Sequence, residues 1–226
     1  MTLIITSLRP RDIVITSDSR ATLETAGKIT GFDDNYQKIF PMPHHPLVIS
    51  HHGQNNLDHK TLPVFMDGFM SQLNAGDLTI LEVADQFRTY AHDAIRRCLQ
   101  GLGTIKTGCG FLFAGFGADD RGPAVVELFW KRQDNALITE ERNWHPTAIV
   151  TSGDGKTQID KVGWHQIADV PVEKVCNLHE QLLDQAIHAK VDPNSVGGPI
   201  QEIVVKREKW EWVKPPQIAG ATTKPN

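Results

Sequence analysis

The spacing of hydrophobic and polar positions changes character several times along the chain. Residues 2–7 and 12–17 read as β-strands, joined by a tight turn at Arg9-Pro10-Arg11-Asp12, and 46–50 reads as a short buried strand. From about 56 to 101 the period lengthens. Leu62, Val64, Phe65, Phe69 and Leu73 approximate one helical stripe, and Leu81, Val83, Phe87, Tyr90, Ala91, Ala94 and Ile95 a second. Asn74-Ala75-Gly76-Asp77 breaks the two, which predicts an antiparallel helical hairpin. Strand patterns return at 109–117, 124–130, 136–139 and 147–152. A short helix is expected after Gly153 and a longer one over 172–190, its apolar face carried by Val175, Leu178, Leu182, Leu183 and Ile187. Residues 199–206 and 210–213 close the pattern as strands, and 24–35 reads as a long loop.

Strands, a helix pair, strands, a helix pair and strands again describe an α+β chain. Two helical pairs can cover the outer faces of a two-sheet sandwich, so the expected architecture is a four-layer αββα sandwich. No repeat or linker divides it. The expectation is one domain over 1–214, followed by a polar, proline-rich tail over 215–226 that is frayed.

Composition narrows the function. With 226 residues, 40% hydrophobic, 22% charged and a net charge of -4, the chain is an ordinary globular one without a basic block, which argues against nucleic acid as partner. Three cysteines without CxxC spacing read as reduced thiols rather than a disulfide framework or a zinc site. No apolar run approaches the roughly 18 residues that span a bilayer, and the N-terminus lacks the pattern of a signal peptide. The expected location is the cytoplasm, with no membrane partner.

The candidate chemistry starts at Thr2, directly behind Met1 and at once inside a strand. The second strand delivers Asp18-Ser19-Arg20, and Lys38 stands in Tyr36-Gln37-Lys38-Ile39-Phe40, where burial would demand a charge partner such as Asp18. A threonine hydroxyl beside a free α-amine, a lysine and an aspartate is one of the few ways threonine becomes a nucleophile. That amine has an unperturbed pKa of about 7.7–8.0, close to operating pH. With Met1 attached the nitrogen is an amide without basicity, so removal of Met1 is a chemical requirement.

Thr2, Ser17-Asp18-Ser19-Arg20-Ala21-Thr22, Lys38-Ile39, Gly53, Thr151-Ser152-Gly153 and Asp192-Pro193-Asn194-Ser195-Val196-Gly197-Gly198 follow one another in an order that resembles proteasome β-type subunits of the N-terminal-nucleophile hydrolase class. The chain is similar to the HslV-type bacterial peptidase and more so to the beta-proteobacterial proteasome homologue. Counted from Thr2, Asp18 is seventeenth and Arg20 nineteenth, where the family carries its own Asp and Arg, whereas Lys38 comes a few residues late. The resemblance implies that Thr2 Oγ attacks a peptide carbonyl with Lys38 beside it and Asp18 orienting Lys38. Either Lys38 or the Thr2 amine serves as base. It further implies that Gly53 N–H receives the oxyanion, where a glycine permits close approach. Ser152, Asp192 and Ser195 would hold the nucleophile's amine, while Arg20, Thr22 and His51 would contact substrate, His51 favouring polar or acidic side chains. Val196 replaces a glycine of the family's Ser-Gly-Gly.

Two other readings are set aside. Gly153-Asp154-Gly155-Lys156-Thr157 imitates the end of a phosphate loop, but Ile149 and Val150 stand where the first glycine belongs. Histidines at 44, 45, 51 and 52 are adjacent pairs that point to opposite faces of a strand without a carboxylate pattern, so no metal or other cofactor is expected. The expected protein is thus a threonine endopeptidase cleaving unfolded polypeptides inside a homo-oligomeric chamber. A double-ring tetradecamer served by an ATPase unfoldase is the form the resemblance implies. The alternatives are an N-terminal-nucleophile amidase acting on a small amide and a catalytically silent scaffold subunit.

Overall fold

In the computed structural model, residues 2–25, 28–73, 78–101, 108–118, 122–133, 136–144, 149–153, 167–188 and 196–217 are described. Strands β1 (Leu3–Leu8) and β2 (Asp12–Ser17) form the antiparallel pair that the opening apolar runs anticipate. β12 (Ile149–Gly153) flanks β1, and β13 (Gln201–Lys206) flanks β2 with β14 (Trp210–Lys214) outside it, giving a five-stranded sheet ordered β12-β1-β2-β13-β14. A second five-stranded sheet runs β11-β10-β9-β6-β5, from β11 (Ala136–Trp144), β10 (Ala124–Gln133), β9 (Cys109–Gly115), β6 (Leu47–His52) and β5 (Ile39–Pro41), while β7 (Asn56–Leu57) and β8 (Lys60–Thr61) pair with each other. Each pairing among the described residues is antiparallel.

Period-2 alternation decides which layer each side chain meets. Ile4, Leu8, Ile13 and Ile15 of the first sheet share a buried cluster with Val48, Leu112, Ala114 and Val125 of the second, so the two sheets pack face to face. Their alternates Leu3 and Ile5 turn the other way, onto Leu182, Leu183 and Ala186 of helix α3 (Val172–His188). The outer face of the second sheet presents Phe111, Phe113, Leu128 and Trp130 to helices α1 (Leu62–Met70) and α2 (Ile80–Gly101). Helix α2 opens with a reciprocal capping box: Glu82 N–H donates to Thr79 Oγ1, and the Thr79 N–H and hydroxyl both donate to Glu82 Oε2. Phe87, at its centre, touches Phe65, Phe69, Phe111 and Phe113, and burying such a ring contributes about 2–3 kcal/mol.

The fold is therefore mixed α/β, with antiparallel sheets and few helices. One departure from the sequence reading matters. Residues 24–35 are no loop: β3 (Ala21–Thr25) and β4 (Lys28–Asp33) form a two-stranded antiparallel ribbon of their own. Its alternation escapes notice because β4 faces solvent and the register shift between Leu23 and Glu24 breaks the period-2 spacing of Ile29 and Phe32. The long helix is described over Val172–His188, and residues 189–190, the tail from 218 onward and the short helix expected after Gly153 lie outside the described residues. No helix among the described residues is long and apolar enough to cross a membrane.

Candidate active site

Asp18 stands immediately past the end of β2, and four different donors converge on its carboxylate. Oδ1 accepts the Leu3 N–H at 3.0 Å and Lys38 Nζ at 3.0 Å, while Oδ2 accepts Lys38 Nζ at 3.0 Å and the Arg20 and Gly197 N–H groups at 3.2 Å each. The Asp18 N–H returns a bond to Leu3 O at 3.4 Å. Thr2, the residue before Leu3, is buried, and Asp18 and Lys38 are fully enclosed. A buried ion pair forfeits hydration of both charges; three backbone N–H groups on the same carboxylate offset that loss. Burial pushes the Lys38 ammonium pKa below its ordinary value, with Asp18 pulling it back. Lys38 thus gives up its proton more readily than an exposed lysine.

Local chain geometry builds this node. Ser19 and Arg20 both donate their N–H to Gly197 O, at 3.1 and 2.9 Å. A side chain at Gly197 would collide with the Arg20 guanidinium, and Gly198 adopts φ +75°. Lys38 itself lies just ahead of β5, in an irregular stretch. The Gln201 side chain, from β13, pairs with its backbone on one side: Oε1 accepts the Lys38 N–H at 3.1 Å and Nε2 donates to Tyr36 O at 2.6 Å. Lys38 O accepts the His51 N–H at 3.0 Å, and Tyr36 N–H donates to Ser19 O at 3.0 Å. The Tyr36 hydroxyl donates to Asn55 O and accepts the Leu62 N–H at 3.2 Å. Gln201 and Tyr36 were not anticipated, yet a glutamine leading into the apolar run Ile203-Val204-Val205 carries the same signal as Lys38, a polar group whose burial demands partners.

The remaining candidates fall into three groups. Arg20 sends its guanidinium to Asp34, with Nε–Oδ1 at 2.6 Å and Nη2–Oδ2 at 2.8 Å, and over the Phe32 ring at 4.8 Å. Thr22 lies one step along the ribbon, opposite Phe32. Gly53 follows β6 with φ +105°, and a Cβ there would strike Gly108 O, so only glycine fits. His51 is wholly enclosed, tilted 4.8 Å from Phe111 and 3.7 Å from Cys109 Sγ, and burial holds its imidazole pKa well below the usual range, hence neutral. Its neighbour His52 points to the opposite face and bonds Glu127 Oε1 at 3.2 Å. Ser152 pairs with Ile4 on the strand beside Thr2, and its side chain lies outside the described residues, as do Asp192 and Ser195 altogether. Among the described residues no group of three or more His, Cys, Asp or Glu could hold a metal.

No protein-family model and no curated protein matches the sequence. Solved structures do match the fold. A helical assembly of the Anbu complex from Pseudomonas aeruginosa superposes with a TM-score of 0.63 at 16% identity, over 94% of this chain and 86% of that one. An Anbu (Gly-1) mutant from Hyphomicrobium sp. strain MC1 gives 0.58 at 16% identity, over 95% and 86%, and Anbu (ancestral beta-subunit) from Yersinia bercovieri gives 0.56 at 16%, over 94% and 87%. These matches correct the resemblance drawn from the sequence. The structural neighbours are Anbu proteins rather than proteasome β-subunits, the HslV peptidase or the beta-proteobacterial homologue. Motif order could not separate these groups, because it rests on a few short residue matches, with Lys38 already a few positions late. At this identity the likeness establishes a fold related to the proteasome-like Anbu fold.

Proposed function

We propose that the chain is a threonine-type endopeptidase that cleaves unfolded polypeptides from a chamber formed by its own copies. The observation that carries this reading is the four-donor Asp18 carboxylate. It ties the first strand, two residues from the chain start, to an enclosed lysine of lowered pKa. Once Met1 is removed, Thr2 Oγ attacks the scissile carbonyl, and its proton passes to Lys38 or to the freed α-amine and then to the departing amine. The acyl ester on Thr2 is released by water. Gly53 N–H receives the oxyanion, and Ser152, Asp192 and Ser195 hold the amine. Thr22, Arg20 and His51 line the substrate cleft, His51 as a neutral ring. The clusters on either side of each sheet support an αββα stacking within a single domain over 1–214, with 215–226 as a flexible tail. The protein works in the cytoplasm without a cofactor, and an ATPase unfoldase feeds it.

Assembly is part of the proposal, since the Pseudomonas aeruginosa neighbour is a helical assembly. Light scattering distinguishes a closed double-ring tetradecamer from an open helix. The deciding measurement is intact mass with N-terminal sequencing of the purified protein, followed by hydrolysis of fluorogenic peptides and capture of an adduct on Thr2. A protein that keeps Met1 and still cuts peptides at full rate overturns the mechanism.

A further inference from the structure

The β3–β4 ribbon stands outside both large sheets, and among the described residues β4 pairs only with β3, leaving its other edge without a strand. A lone two-stranded ribbon is marginal in water, yet this one carries Leu23, Ile29 and Phe32 exposed at 48, 46 and 42%. Its root is fixed in place by the Arg20–Asp34 fork, by Arg20 over Phe32 and by the bond from Ser19 Oγ to Asp34 O. A rigid, apolar, unpaired strand edge is a template for another strand.

The order of residues along β4 says which strand. Lys28 and Asp33 stand at its two ends, Ile29 and Phe32 just inside them, and Thr30 and Gly31 at the centre. The register slips between Leu23 and Glu24, so that Leu23 faces Gly31 and Glu24 faces Ile29. The extra residue, Thr30, brings Ile29 and Phe32 onto one face, and Lys28 and Asp33 onto the other. If a second β4 lies antiparallel across a twofold axis at the centre, each Lys28 meets Asp33 of the second copy and each Ile29 meets Phe32 of the second copy. A guarded edge would carry like charges at its two ends, which repel in such a pairing. Opposite charges at equal distance from the centre attract. We propose that β4 is a self-complementary edge through which two copies of this chain join their ribbons into one four-stranded sheet, an isologous contact.

The inference rests on the assembling part of the proposed function and not on hydrolysis. Its test is charge exchange in the full chain, read by sedimentation velocity and native mass spectrometry. Lys28→Asp and Asp33→Lys each set like charges across the seam and should lower the mass of the smallest stable assembly twofold. The double variant Lys28→Asp/Asp33→Lys exchanges the signs and should restore it. Circular dichroism confirms folding, and should a single variant fail to fold, Ile29→Ser serves in its place and should also halve the mass. Single variants that assemble like the wild type, or a folded double variant that stays dissociated, overturn the ribbon contact while leaving assembly by other faces intact. A wild type monomeric at every concentration removes both the contact and the chamber.

Discussion

Two enclosed polar clusters adjoin the first sheet, one past the end of β2 and the other under α3, and the second imitates a hydrolase better than the candidate site does. Under α3, His179 Nε2 lies 2.6 Å from Ser7 Oγ and Nδ1 lies 2.9 Å from Thr16 Oγ1, whose hydroxyl donates to Glu202 Oε1 at 2.8 Å. With the Thr16 hydrogen committed to Glu202, Nδ1 carries the imidazole proton and Nε2 accepts from Ser7. Serine, histidine and a carboxylate thus line up in the order of a catalytic relay. All four residues have zero exposure, sealed between three strands and a helix. Asp18 and Lys38 are equally enclosed, so burial does not separate the two clusters. What differs is the connection: the Asp18 node accepts the N–H of the residue after Thr2, whereas His179 bonds Ser7 and Thr16. Hydrogen-bond order alone is a poor guide to reactivity.

Thr2→Ala should break this contrast most sharply if the assignment is wrong. It should fold normally and lose peptide hydrolysis by at least about 10³-fold, whereas Ser7→Ala should keep hydrolysis within about twofold, both read with the same fluorogenic peptide. Next in size, Lys38→Ala strips the counter-charge from Asp18 and should cost about 3–5 kcal/mol of unfolding free energy along with the activity, measured by urea titration.

The His179 cluster yields a pH signature instead. Burial drives its imidazole pKa down to about 3 from an ordinary 6.5. Between those values the unfolded chain binds the extra proton, so the contribution is complete above pH 6.5 and lost as pH falls toward 3. His179→Gln should flatten that acid slope by a few kcal/mol without altering hydrolysis at neutral pH. Smallest, Gln201→Leu leaves the Lys38 N–H and Tyr36 O unpaired and should cost about 1–3 kcal/mol, with kcat falling more than KM rises.

The same physics explains what the sequence disclosed. Leu3-Ile4-Ile5 and Ile13-Val14-Ile15 announce strands because both of their faces are covered, and Lys38 betrays its charge partner because an unpaired buried ammonium is untenable. The ribbon escaped because no core enforces its alternation. Val64 and Leu81 were assigned to helical stripes yet are 55 and 41% exposed; single apolar residues on a helix cost little on the outer face. Asp34 and Tyr36 were invisible as supports because Asp and Tyr in a polar stretch look like any solvated turn. Arg20 could be picked from its position, but its fork with Asp34 depends on how the ribbon folds back.

One earlier detail reaches beyond catalysis. Besides Gln201, Trp210 sends its indole N–H across to Met42 O at 2.8 Å, so both ties run from the last two strands to the stretch around β5. The C-terminal hairpin therefore works as a hasp on the sandwich. A chain clipped between residues 200 and 201 keeps all four donors to Asp18, Gly197 included, but loses both polar ties to the β5 stretch and the share of Ile203 and Val205 in the cluster between the sheets.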